Sequence, residues 1–304
     1  MKITLLLFTI LGVTAGHNER ESKIRPAVKT PSGGHNNPRE SEKARPAIGE
    51  KSVHSSRSDN NDLDVLVDGK TLCGHMDLRN ARCYENSLPA IYEKAMAVAK
   101  IRTGGLVCTG WLVGGNNYLM TNHHCISSKE EAAAAQFLFM YESTQGDCQQ
   151  GGVRDTDAAA EMTIDGAEFI MADKQLDFAL VKLVSGNPVC AYGHFDIDWE
   201  APKVGDEIYV PQHPAGRDKS IGITDTFTES GMCEIKSVSG IGVDYTCDTE
   251  GGSSGSPVVN KATNMVVALH KAGRKKCHGN TGTKMSKIYG LVQEEVYGAI
   301  AECS

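Results

Sequence analysis

Three short stretches hold residue types that together can cleave an acyl bond. Residues 249–260, "TEGGSSGSPVVN", set Ser253, Ser254 and Ser256 among glycines just ahead of an apolar run. Residues 120–126, "MTNHHCI", place the adjacent His123 and His124 before a cysteine, and Asp177 opens the apolar run "DFALVKLV". A serine hydroxyl is a weak nucleophile unless a base takes its proton, and an imidazole base needs a third group to fix its tautomer. Taken singly, each stretch has a plainer reading. A Gly-Ser tract is usually a linker, Asp177 can be an exposed strand end, and a lone histidine is a surface or core residue, as His194, His213 and His278 are read here. Two features argue otherwise. The tract lies between strand-like segments, "SPVVN" and "MVVALH", joined by the turn "NKATN" (260–264), where linkers seldom sit. An acid that opens an apolar strand is costly unless paired, and an imidazole would satisfy it.

The elements that must position these residues are short. Apolar runs punctuated by Gly and Asn recur from "GLVCTGWLVGG" (105–115) through "NYLMTNHHCI" (117–126), "AQFLFMYES" (135–143), "EFIMAD" (168–173), "EIYVPQHP" (207–214), "CEIKSVSG" (233–240) and "VDYTC" (243–247). Many short strands with turn signals between them predict an all-β barrel or sandwich. Residues 83–101 predict a short helix followed by a strand, and the helical spacing of apolar residues in 287–303 predicts a C-terminal helix. A hairpin turning at "GGNN" (114–117) brings Cys108 to Cys125, a bridge that would clamp the histidine turn. A second hairpin turning at "SGIG" (239–242) brings Cys233 to Cys247. The other six cysteines allow 15 connectivities, and Cys73 and Cys83 are expected to tether an N-terminal extension.

The whole chain bounds the class. It has 304 residues, with 31 basic and 38 acidic side chains and a formal net charge of −7, which argues against nucleic acid as a partner. Residues 1–16, "MKITLLLFTILGVTAG", read as a signal peptide. Its apolar core is about twelve residues, short of the roughly 20 that span a bilayer, so a secreted, extracellular protein with no membrane contact after signal cleavage is expected. Ten cysteines fit an oxidising compartment. The chain has no CxxC and no HExxH, so no metal is expected, and no cofactor is implied. Residues 17–72 are polar and nearly free of aromatics, which predicts a disordered propeptide or tail. Within them "HNERESKIRPAV" recurs loosely as "HNNPRESEKARPAI". Residues 73–304 read as the globular domain.

The chain order His, Asp, Ser is one of the orders this triad takes. From about residue 98 to 289 the sequence resembles the chymotrypsin-like serine proteases: "TNHHC" resembles their "TAAHC", "DFALVKL" their "DIALLKL", and "GSSGSP" their "GDSGGP". The resemblance implies two six-stranded antiparallel β-barrels with a C-terminal helix. It further implies His124 as base, Asp177 as its partner, Ser254 as nucleophile, and the backbone N–H groups of Gly252 and Ser254 as the oxyanion hole. "SGSP" and "HPAGRDKSI" (213–221) resemble the bacterial glutamyl and lysyl endopeptidase branch, and related secreted proteases of microbial eukaryotes, more than digestive trypsins. Where zymogen-activated members carry an aspartate that pairs with a freed N-terminus, this chain has Ser253, so no such ion pair is expected.

The implied activity is hydrolysis of protein or peptide substrates by a monomer. Asp248, six residues before the nucleophile, is implied at the base of the specificity pocket and would favour Lys or Arg. His270 falls where glutamyl-specific relatives receive an acidic side chain, though lysyl-specific relatives also carry a histidine nearby. Lys287 lies near where the lysyl branch places its specificity aspartate, which counts against a close copy of that pocket. The competing reading is a catalytically silent homologue that binds or inhibits.

Overall fold

The computed structural model describes residues 70–71, 76–143, 148, 160–184, 189–273 and 279–298. The expected signal peptide, nearly all of the 17–72 segment, Cys73, Cys277, His278 and Cys303 lie outside them. At the N-terminal side are two short strands, β1 (Lys70–Thr71) and β2 (Arg79–Asn80), then helix α1 (Pro89–Met96). The rest of the first half comprises β3 (Val98–Thr103), β4 (Leu106–Val113), β5 (Tyr118–Thr121), α2 (Lys129–Ala134), β6 (Gln136–Phe139), β7 (Met162–Asp165), β8 (Ala167–Asp173) and β9 (Phe178–Leu183). The second half comprises β10 (Ile208–Gln212), β11 (Ser220–Gly222), β12 (Ile235–Ser239), β13 (Gly242–Tyr245), β14 (Thr249–Glu250), β15 (Pro257–Asn260), β16 (Val266–Gly273), β17 (Asn280–Lys284) and helix α3 (Met285–Tyr297).

The strands form two curled antiparallel sheets, the chymotrypsin-like architecture. One runs β7-β6-β3-β4-β5-β9-β8 and the other β12-β13-β17-β16-β15-β10-β11-β2. The expectation of six strands in each is therefore corrected to seven and eight. Edge strands account for part of the difference: β7 pairs only with β6, and β2 adds two residues to β11. The predicted tail also ends in structure, because β1 pairs with β14, Lys70 opposite Glu250 and Thr71 opposite Thr249.

Both predicted hairpins form. Trp111 pairs with Met120 across the 114–117 turn, and Ser239 pairs with Gly242 across the 239–242 turn. The apolar faces of β3, β4, β5, β6 and β9 bury Ile101, Trp111, Leu119, Phe137, Phe139 and Phe178 in one cluster. Burying each such side chain is worth about 1.5–3 kcal/mol. Helix α3 joins the same cluster through Met285, Ile288, Val292 and Val296, spaced to share one face. The second sheet has its own smaller cluster around Ile208, Val210, Tyr245, Val258 and Val267.

Helix α2 was missed by the sequence reading. Ser128 caps it by accepting the Glu131 N–H at 3.2 Å, and Glu131 reaches back to the N–H of Ser127 at 2.6 Å.

Candidate active site

The turn between β14 and β15 is held almost entirely by its own carbonyls. Gly251 O accepts from the Ala215 N–H, and Gly252 O accepts from Thr109 Oγ1 at 2.9 Å. Ser253 O accepts from Ser256 through both N–H (3.0 Å) and Oγ (2.6 Å), and Ser254 O accepts the Thr109 N–H at 2.8 Å. Further along, Gly255 donates to His270 O at 3.1 Å, and the His270 N–H returns to Ser256 O at 2.9 Å. Among the described residues, the N–H groups of Gly252 and Ser254 make no hydrogen bond. A trans peptide points its N–H opposite its C=O. Tying the carbonyls of residues 251 and 253 therefore fixes the directions of these two free donors.

Two glycines are dictated by this geometry. Gly252 has φ +93°, and a Cβ there would lie 2.8 Å from both Gly216 N and His213 O. At Gly255 (φ +87°) a Cβ would lie 2.2 Å from Thr109 O. Ser253, between them, is fully buried and points inward: its hydroxyl donates to Gln212 Oε1 and accepts the Glu250 N–H, while Gln212 Nε2 donates to Asp248 O. The residue before Ser254 is thus satisfied by neutral partners within the second half.

The histidine sits in the turn after β5, which the Cys108–Cys125 disulfide ties to β4. His124 Nδ1 donates to Asp177 Oδ2 at 2.9 Å, with Oδ1 at 3.2 Å, and the His124 backbone N–H also reaches Oδ1 at 3.1 Å. Asp177 is held in turn by Asn122 Nδ2, which donates to its carbonyl at 2.8 Å. Its φ of +52° lies in the left-handed region that aspartate tolerates better than most residues. The Asp177 side chain is 7% exposed and that of His124 is 44% exposed, so the carboxylate lies behind an imidazole whose far side meets solvent. With its Nδ1 proton on the carboxylate, His124 presents Nε2 as an acceptor. This geometry singles out His124 from His123. Among the described residues no hydrogen bond joins Ser254 Oγ to His124; such contacts are often long before substrate binds. The two turns are instead linked by Thr109, whose Oγ1 and N–H both hold the serine turn and whose O accepts Thr121 Oγ1 at 2.8 Å.

The two expected specificity residues are both buried beside the serine turn but are differently engaged. His270 is paired on β16, and its Nδ1 accepts from the Tyr245 hydroxyl. Burial pushes its imidazole down to about 3, with the neighbouring His124 acting in the same direction, so His270 is neutral at pH 7. Burial holds the Tyr245 hydroxyl well above its usual range, which keeps it the donor. Asp248 Oδ2 accepts the Asp77 N–H at 2.7 Å, and Asp77 Oδ2 accepts the Thr226 N–H at 3.1 Å. Lys287 is exposed on α3.

Disulfides join Cys233 to Cys247 and Cys83 to Cys148, and Cys190 is also disulfide-bonded. Cys83, in the single turn Ala81–Tyr84 ahead of α1, is therefore tied to Cys148. Sequence reasoning missed Thr109, Gln212, Ala215 and Tyr245. All four lie in stretches quoted above, but Thr109 ("GLVCTGWLVGG"), Gln212 ("EIYVPQHP") and Tyr245 ("VDYTC") were read only as parts of strands, and Ala215 ("HPAGRDKSI") only as part of a family resemblance.

The lysyl endopeptidase C-terminal domain family matches residues 78–290. Secreted RxLR effector protein 73 of Plasmopara viticola is 36% identical over 228 residues, covering 68% of this chain and 54% of its own length. The uncharacterized protein y4fB of Sinorhizobium fredii is 30% identical over 240 residues, covering 74% of this chain and 34% of its own. The chain thus spans about half and about a third of these two relatives. The active form of the Rv3671c protease from M. tuberculosis superposes with a TM-score of 0.50 at 15% identity, covering 69% of this chain and 85% of that one, a likeness of fold. A Glu endopeptidase superposes with a TM-score of 0.48 at 19% identity, covering 67% of this chain and 92% of that one.

Proposed function

Because this chain belongs to the lysyl endopeptidase C-terminal domain family, we propose that it is a serine endopeptidase with His124, Asp177 and Ser254 as its triad. The observation that carries this reading is the joint arrangement of the two turns. His124 Nδ1 is held on a buried carboxylate, while the N–H groups of Gly252 and Ser254 flank the serine unbonded.

In the reaction Ser254 Oγ attacks the peptide carbonyl as His124 Nε2 takes its proton, and Asp177 orients the imidazole and stabilises its charged form. The carbonyl oxygen becomes an oxyanion against the two free N–H groups. His124 then gives its proton to the leaving amine. Water, deprotonated by His124, hydrolyses the acyl-enzyme and frees Ser254.

Cleavage after basic residues is the preference we favour. Asp248 offers a carboxylate six residues before Ser254, and neutral His270 offers no positive charge to an acidic side chain. The family description, lysyl endopeptidase, supports the same side. Export to an oxidising compartment is supported by the disulfides and by a relative described as secreted. Residues 17–72 then act as a propeptide or tail, and the working form is a monomer acting on proteins or peptides.

A second reading, a silent homologue that binds instead of cutting, draws on the missing Ser254–His124 hydrogen bond and the effector relative. A fluorophosphonate probe followed by mass spectrometry separates the two. A protease carries the label on Ser254, and His124→Ala loses it. A folded, disulfide-intact chain that takes no label is the binding homologue.

A further inference from the structure

In zymogen-activated relatives an aspartate before the nucleophile pairs with a freed N-terminus; here that place is held by Ser253. The structure offers another holding device. Residues 213–219 form a tight turn against the serine loop, and Ala215 at its centre has φ +52° and ψ +22°. An alanine seldom adopts this left-handed backbone, and such strain persists where surrounding contacts over-determine it. In this conformation the Ala215 N–H meets Gly251 O. That carbonyl belongs to the peptide whose N–H is the free donor of Gly252.

The turn is pinned on both sides. Arg217 forms an ion pair with the buried Glu250, on the strand leading into the serine loop. Lys219 is wholly buried, and its Nζ lies 3.1 Å from Glu142 Oε1, three residues past the end of β6; the Tyr92 hydroxyl donates to Glu142 Oε2 at 3.0 Å. At the near end the His213 N–H donates to Thr109 Oγ1 at 3.1 Å, the same hydroxyl that donates to Gly252 O. Buried charges of this kind are costly unless paired, so the pairs hold the turn to one arrangement.

We propose that the 213–219 turn, fixed by Arg217–Glu250 and Lys219–Glu142, holds the Gly251–Gly252 peptide so that the Gly252 N–H faces the reacting carbonyl. The oxyanion hole is then complete without an N-terminal ion pair and while the N-terminal segment is still attached. This rests on the reading of Ser254 as nucleophile. Ala215 and Arg217 are positioning residues: Ala215 acts through the Gly251 carbonyl and Arg217 through the turn it pins to Glu250, neither on substrate.

The test uses the full-length chain with an intact N-terminus and a peptide boronic acid bearing a basic side chain. Calorimetry gives its affinity, and 11B NMR reports a tetrahedral adduct on Ser254. The matching product peptide, which forms no oxyanion, is the ground-state control. Losing one oxyanion donor outright costs about 10²–10³-fold in kcat, so a loosened one should cost about tenfold or more. Arg217→Met should weaken boronate binding by that factor while product binding changes less than about twofold, with kcat falling and KM steady. Ala215→Gly, which relieves the strain and removes no contact of a side chain, should give the same split at smaller size and covers the case in which Arg217→Met fails to fold. Equal losses for both ligands, or no loss, would overturn the proposal. So would a full-length chain that forms the adduct only after limited proteolysis of its N-terminal segment, a result that leaves the protease reading standing. A full-length chain that forms the adduct yet cuts no peptide would sink the protease reading and leave this one. Absence of any adduct before and after proteolysis would remove both.

Discussion

The two halves of the molecule hold their parts of the site by different forces. The half that supplies His124 and Asp177 rests on hydrocarbon: Trp111, Leu119, Phe137 and Phe178 lie under the strands that end at these residues. The half that supplies Ser254 has a smaller apolar cluster and surrounds its turn with buried polar groups, among them Gln212, His213, Lys219, Glu250, Ser253 and His270. Packing is tolerant of small shifts, whereas buried hydrogen bonds and ion pairs are directional and heavily penalised when broken. An imidazole needs one orienting partner. Two backbone donors aimed at one oxygen need every neighbouring carbonyl tied.

The difference can be broken or sharpened by substitution. The largest effect is expected from Asp177→Asn, which keeps the packing of the first half but disturbs the tautomer of His124. It should lower kcat by about 10⁴-fold in a steady-state peptide assay, and His123→Ala should change kcat by less than about twofold. Next comes Trp111→Ala in the apolar half, expected to cost about 3–5 kcal/mol in urea unfolding while the folded fraction keeps its kcat. In the polar half, Ser253→Ala removes the donor to Gln212 Oε1 and should cost about 1–3 kcal/mol. Here the kcat of the folded protein should fall as well. Equal kcat effects from the Trp111 and Ser253 changes would erase the contrast.

Acid should find the polar half first. His270 titrates near 3 in the folded chain and near 6.5 when unfolded, and burial pushes His213 the same way. Both are depressed, so the stability they confer is full above the unfolded value and is lost as pH falls from about 6.5 towards their folded values. The loss approaches about 1.4 kcal/mol per pH unit for each group. Urea midpoints at pH 7 and pH 5 should therefore converge in His270→Gln relative to the parent chain. An unchanged pH dependence would show that burial of His270 is not what couples this half to acid.

The parts legible in the sequence were those in which local pattern and tertiary role agree. The hairpin turns at 114–117 and 239–242, the apolar spacing of α3, and the pairing of Asp177 with an imidazole are of this kind. Strand β17, "NTGTK", is polar and offers no apolar run to mark it as a strand, yet it lies between β13 and β16 and is mostly buried. Its Thr283 donates to Leu176 O, just ahead of Asp177, a contact across 107 residues that no local pattern encodes. Helix α2 carried a signal, the Ser128-x-x-Glu131 capping box, that the alanine run beside it obscured. The left-handed Ala215 carried none, because its conformation is imposed by Gly251, Glu250 and Glu142 from other segments. Asp248 was an expectation carried by the family resemblance, and its engagement with the Asp77 N–H follows only from the fold.

The central claim, that these two turns together cut peptides, is most directly tested by mass-spectrometric mapping of cuts in a mixed peptide library. The full-length protein is run beside its Ser254→Ala variant. The expected result is cleavage after Lys or Arg with the parent and none with the variant. Cuts that persist in the variant, or no cuts from a folded and fully disulfide-bonded parent, would contradict the claim.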